Sequence, residues 1–177
     1  MINITNPYTT ASYSTVLSIY RGGLLVQQGT MTNKATTNIL SFSITPTQNI
    51  TSIDTSTLMN IKTTTRIPTG GYLTLQYPIT INPNSITSPT ISQCRIGTNS
   101  VVGCSYSLSS SILTFNSLFN SVFEPGDITI SFSQLTTPQT VQSISFTLTT
   151  YSSDGSKIDV GTYFLAVNPT PITTFSL

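Results

Sequence analysis

The chain has 177 residues, only 6% of them charged, with a net charge of +1, no His and no Trp. Typical soluble domains carry about 25% charge. This balance excludes electrostatic capture of nucleic acid or of an acidic membrane surface. Without His there is neither Ser-His-Asp catalysis nor a Cys/His metal site.

With 34 Thr and 26 Ser, the chain is polar through hydroxyls rather than charge. Eight Phe, eight Tyr and many Ile allow it to bury a core, unlike a disordered Ser/Thr-rich chain. Taken from the N-terminus, Met1 to Tyr20 lacks the basic and apolar regions of a signal peptide. Tyr13, Thr15 and Leu17 alternate, and Gly22-Gly23 marks a turn. Leu40, Phe42 and Ile44 alternate next, before a turn at Thr45-Pro46. Further turns at Pro68-Thr69-Gly70-Gly71 and Asn82-Pro83-Asn84 flank the alternating Leu73, Leu75 and Tyr77. Leu113 to Phe123 reads as strand then loop. After Pro125-Gly126-Asp127 come Ile128, Ile130 and Phe132. After Thr137-Pro138 come Ile144, Phe146, Leu148 and Thr150. Period-two alternation with turns every eight to twelve residues is the pattern of half-buried antiparallel strands. It predicts an all-β, two-sheet sandwich, with a closed barrel as the alternative. The intervening Ser, Thr and Gln are expected to face outward. No run of 18 apolar residues occurs, so no helical membrane span is expected.

The beginning of the chain repeats its end. Asn6-Pro7 corresponds to Thr137-Pro138, and Tyr20 to Tyr151. Tyr13, Thr15 and Leu17 stand against Ile144, Phe146 and Leu148, and Gly29-Thr30 against Gly161-Thr162. Leu40 to Ile44 matches Thr173 to Leu177. The period of about 131 residues suits one domain. It divides the chain into the C-terminal part of a preceding unit (1–36), one complete sandwich (37–168) and the first strand of a following unit (169–177). Ala166 to Ile172, with Pro169 and Pro171, forms a short stiff connector.

Cys94 and Cys104 are the only cysteines. The stretch between them suggests a hairpin turning near Asn99, with the two cysteines opposite each other and able to form a disulfide. Two free thiols are the alternative. A disulfide implies a compartment outside the cytosol. Asn3-Ile4-Thr5 and Asn49-Ile50-Thr51 are glycosylation sequons, although such triplets arise by chance in a chain this rich in Asn and Thr. Thr clusters near Pro are candidate O-glycan sites. Glu124 and Asp127 belong to a Glu-Pro-Gly-Asp turn before they form an acid pair. Asp154 and Asp159 flank a hairpin, but calcium wants six or more oxygens. No catalytic, cofactor-binding or metal residue is assigned.

The succession Gly71 to Pro78, Cys94 to Cys104, Leu113-Thr114-Phe115, Pro125 to Phe132 and Ser145 to Gly155 resembles repeat units of large cell-surface proteins of ciliates and similar protists. Its motifs are mostly strand patterns and turns. The resemblance implies tandem immunoglobulin-like units and an extracellular, glycan-bearing structural protein, with no catalytic residues. The expected function is therefore a non-enzymatic fibril or surface coat, whose partners are neighbouring copies or units and covalent glycans. The alternative is an adhesin or pilin-type subunit that polymerises by exchanging its terminal strands. A carbohydrate-active domain would need paired acids and clustered aromatics that the sequence does not offer.

Overall fold

Alternation of apolar and hydroxyl side chains produces sheets here, and the structure is all-β. It is a computed structural model that describes residues 12–34, 38–77, 91–96, 100–102, 105–109 and 111–171. The strands are β1 (Ser12–Arg21), β2 (Leu24–Lys34), β3 (Asn38–Ile39), β4 (Ser41–Pro46), β5 (Asp54–Lys62), β6 (Tyr72–Gln76) and β7 (Ile91–Ile96). They continue as β8 (Ser100–Val102), β9 (Ser105–Ser109), β10 (Ile112–Asn116), β11 (Asp127–Thr136), β12 (Gln142–Tyr151) and β13 (Lys157–Val167).

Two sheets form the sandwich. One has the order β3-β13-β12-β6-β10-β9 and the other β4-β5-β11-β7-β8. The central orders β13-β12-β6 and β4-β5-β11-β7 follow the G-F-C and A-B-E-D arrangements of the immunoglobulin fold. Among the described residues the two sheets are separate and neither closes on itself, so the fold is a sandwich and not the barrel alternative. The first strand changes sheets. β3 pairs in parallel with β13, and β4 then pairs antiparallel with β5. At the crossing, the Leu40 amide donates to the Val160 carbonyl at 3.0 Å. A Cβ at Gly161 would lie 2.1 Å from the Leu40 carbonyl oxygen, so only glycine lets the strand pass.

The core lies between the sheets. Leu73, Leu75, Phe115, Ile144, Phe146 and Leu148 come from one side, and Ile44, Met59, Ile61, Ile128 and Ile130 from the other. Leu73, Leu75, Ile128, Ile130, Ile144, Phe146 and Leu148 point inward as their alternation predicts, and the side chain of Phe132 lies outside the described ones. The expectation that the intervening Thr faces outward fails at Thr149, and Thr outside the predicted alternating runs is buried as well. Thr55, Thr57, Thr63, Thr137 and Thr149 are buried. Thr55 and Thr57 share the inward face of β5 with Met59 and Ile61, which hides the strand's apolar phase from a reading of sequence alone. Thr137 is buried because its hydroxyl oxygen accepts the Ile53 amide at 3.0 Å.

β1 and β2 stand apart as a two-stranded sheet of their own. Gly22 and Gly23 turn the hairpin with φ of 57° and 81°, as a tight two-residue turn requires. One face is mostly polar apart from Val16: Ser14 and Thr32 hydroxyls lie 3.3 Å apart, and Gln28 donates to Ser18 at 3.1 Å. The other carries Leu17, Ile19 and Met31, and all three are exposed.

Phe146→Ala should cost about 3–5 kcal/mol through lost burial and the cavity left behind. Leu17→Ala in the same 177-residue chain should shift stability by no more than about 0.5 kcal/mol, because its side chain is 69% exposed. Urea unfolding of both variants measures the contrast. Equal losses would contradict the separation of hairpin and sandwich.

Candidate interaction surfaces

The segment leaving the sandwich is strapped down. After β5's preceding turn brings residues 47–53 beside the end of β13, the Thr51 amide donates to the Asn168 carbonyl at 3.1 Å. The Asn168 amide donates to the Asn49 carbonyl at 2.7 Å. Beyond it, the Thr51 and Thr170 hydroxyls lie 2.8 Å apart. The Ser52 amide also reaches the Pro138 carbonyl at 3.0 Å. The sequon Asn49-Ile50-Thr51 therefore sits beside the exit of the chain, and Asn49 is half-buried there. Asn3, the other sequon asparagine, lies outside the described residues.

Cys94 is fully buried on β7 and is not a free thiol. The expected hairpin forms from β7 and β8, but its register pairs Cys94 with Val102 rather than with position 104. The pairing is symmetric about residue 98, one residue earlier than the turn near Asn99 that the sequence suggested. Cys104 itself lies outside the described residues.

The four acids of interest do not gather. Glu124 pairs with Arg66 at 2.9 Å on the surface, with side chains 71% and 40% exposed, which is worth less than about 1 kcal/mol. Asp127 opens β11 opposite Lys62. Asp154 closes the β12–β13 turn, accepting from the Ser152 hydroxyl and, at 3.0 Å, from the Ser156 amide. Those hydrogen bonds, the Ser152 hydroxyl first, hold its carboxyl below the ordinary range. Among the described residues, no group of three or more His, Cys, Asp or Glu could hold a metal ion.

Asp159 is the site that sequence reading missed. The sequence placed it beside a hairpin turn, whereas the structure buries it completely. Its Oδ1 accepts the Thr65 hydroxyl at 2.7 Å, and its Oδ2 is buried with no hydrogen-bond partner. Its amide donates to the Thr150 hydroxyl at 2.9 Å. Burial raises its carboxyl pKa, while hydrogen bonds from the Thr65 hydroxyl and from Thr65 and Thr64 backbone amides pull it down. The acid thus ties the loop after β5 to β13. The available signal was an Asp inside the otherwise apolar run Ile158-Asp159-Val160.

The outer face of the second sheet holds a shallow, open concavity lined by Asn60, Lys62, Arg95, Asp127 and Thr129. Thr129 donates to the Asn60 side-chain oxygen at 3.3 Å. Mixed charge and openness give it the makeup of a solvated sheet face rather than an enclosed ligand cleft.

No family profile matches the chain, and no curated protein matches it. Among solved structures, it is similar to BslA, a bacterial hydrophobin. The TM-score is 0.48 at 12% identity, over 74% of this chain and 98% of that one. It is also similar to the BSP domain of a biofilm-associated protein, with TM-score 0.45 at 12% identity, over 73% of this chain and 29% of that one. A third is the C-terminal domain of the antigen I/II polypeptide BspA from Streptococcus agalactiae. There the TM-score is 0.43 at 10% identity, over 70% of this chain and 44% of that one. No functional residue is carried over from any of them.

The raised pKa of Asp159 makes stability depend on pH with a definite sign. Between the ordinary value of 3.8 and the raised folded value, the folded chain holds a proton that the unfolded chain has lost. Stability therefore falls as pH rises through that window. Asp154 acts in the opposite sense and below 3.8. Asp159→Asn should flatten the decline of Tm that sets in as pH rises above 3.8, where linkage to the buried acid operates. Identical Tm–pH profiles for the parent and the variant would contradict this account.

Proposed function

We propose that this chain is part of an extracellular structural protein, a fibre or surface coat built from immunoglobulin-like sandwiches joined end to end. The single observation that carries the reading is the strap on the exit segment. Four hydrogen-bonded contacts with Asn49 and Thr51 fix Asn168 and Thr170 against the body of the sandwich. Pro169 and Pro171 then stiffen the chain just beyond it. A connector that is held and stiff sets the direction of the next unit, which is what a line of modules needs. Tandem units of the kind found in protist surface proteins remain the proposed family, on the strength of the sequence motifs.

The outer surfaces suit the same role. Strand positions facing away from the core are largely Ser, Thr and Asn, with little charge to keep copies apart. Open strand edges invite lateral pairing. We propose that glycan shields them, with Asn49 guarding the junction between units and exposed Thr the sides. A Cys94–Cys104 disulfide closing a loop this short would add about 2–3 kcal/mol. The role needs no catalysis, and partners are neighbouring units and covalent sugar.

A second reading is a pilin-type or adhesin subunit that exchanges terminal strands. The observation favouring it is that β1 and β2 form a sheet separate from the sandwich.

The mass of the native polypeptide, before and after deglycosylation, separates these readings. A tandem array requires a chain well above 19.0 kDa, and N-glycan release should convert Asn49 to Asp. A 19.0 kDa chain that polymerises would favour the exchanging subunit, and a sugar-free globular monomer of that mass would defeat both. Non-reducing peptide mapping should recover Cys94 linked to Cys104. Alkylation of both thiols without reduction would remove the disulfide from the proposal.

A further inference from the structure

The isolated hairpin and the hairpin that closes the sandwich share one register. From Ser12↔Lys34 through Ser18↔Gln28, each pair of β1–β2 has its counterpart from Ser143↔Ala166 through Thr149↔Val160. The offset is 131 on the first strand and 132 on the second throughout, the difference being one extra residue in the later turn. Beyond this stretch both ladders break register just before a tyrosine. Tyr20↔Leu25 then answers Tyr151↔Lys157. A register set by turn and pleat, with an irregularity at the same place, specifies which side chains share a face.

The two hairpins differ in what covers them. Leu148 is 0% exposed, and its counterpart Leu17 is 69% exposed. Tyr151 stacks on Tyr72 with ring centroids 4.9 Å apart, while Tyr20 is exposed. Gly161 lies under the crossing first strand, whereas a Cβ at Gly29, its counterpart and likewise opposite the leucine, would meet nothing within 4 Å among the described residues. A two-stranded hairpin with an uncovered apolar face is marginal in water. The eleven residues before Ser12 reach at most about 40 Å extended, enough for one strand and not for a second sheet.

We propose that β1–β2 is the closing hairpin of a second sandwich, whose remaining strands lie N-terminal to this sequence in the native polypeptide. The inference rests on the tandem reading above and names its junction. Leu17 and Ile19 enter the core of that preceding unit. Its first strand crosses over Gly29 as Leu40 crosses over Gly161. A second copy of the 177-residue chain does not fit this role, because its own seat between β3 and β6 is already filled by β12 and β13.

Leu17→Cys supplies the test, read peptide by peptide after thiol labelling of the folded 177-residue chain and of the native-length protein. The introduced thiol should label freely in the 177-residue chain and at least about a hundredfold more slowly in the native-length protein, as a core position opens rarely. Adding Gly29→Val should leave the Tm of the 177-residue chain unchanged. In the native-length protein that carries Leu17→Cys it should speed labelling, because the valine side chain meets the crossing strand only there. If the native chain extends upstream and the thiol still labels freely, the hairpin assignment is overturned while the tandem array stands. If the native polypeptide begins at Met1, both fail. In that case protection of the thiol would identify another chain as the cover, contrary to the proposal.

Discussion

The passage of the first strand over Gly161 is the constraint on which the sandwich depends. β3 and β4 belong to different sheets, yet only Leu40 separates them. The chain can make that transfer only if the strand beneath offers no side chain. The Leu40 carbonyl occupies the space a Cβ would need, and the Leu40 amide meanwhile bonds to the Val160 carbonyl. A single residue therefore pins both sheets together at one edge. Its side chain is buried in the common core, so hydrogen bonding and packing act at the same point.

From that edge the architecture follows by alternation. β13 and β12 lie next to the crossing, β6 next to them, and each directs every second residue into the interior. Sheet formation needs no charge, and the chain supplies almost none. Hydroxyls take the place of charge on the outer faces and also inside, where Thr137 satisfies the Ile53 amide and Thr63 exchanges hydrogen bonds with Gly126. Thr is suited to this dual use, since its β-branch fits a strand and its hydroxyl can serve a nearby backbone group.

That dual use also marks the limit of legibility. Phe146, Leu75 and Ile130 declared their strands because an apolar residue between polar ones has one favourable direction. Thr55 and Thr57 did not, since Thr is equally at home on either face. Asp159 was legible as an acid near a turn but not as a buried one, because its partner Thr65 is 94 residues away in sequence. The strap at Asn168 was likewise hidden. It joins backbone groups of residues 49, 51 and 168, and backbone bonding leaves no residue-type signature. The glycine pair was visible as Gly29-Thr30 and Gly161-Thr162, but its physical reason emerged only once the crossing strand was seen.

The differences between the two hairpins are as informative as their agreement. Asp159 and Thr150 are the polar members of the buried face near the turn, linked by the Asp159 amide and Thr150 hydroxyl at 2.9 Å. By the offsets of the matched ladders their counterparts are Gln27 and Ile19, which oppose each other. The two positions change together, from hydroxyl and acid to hydrocarbon and amide. An amide can still accept from a threonine hydroxyl as Asp159 does, without the cost of a buried charge. Within the proposed array, units would then share the glycine crossing and the aromatic stack while holding the loop after the second strand in chemically different ways. The backbone crossing tolerates no alternative to glycine, whereas the loop needs only an acceptor. A repeat can diverge at the second kind of position and must not at the first.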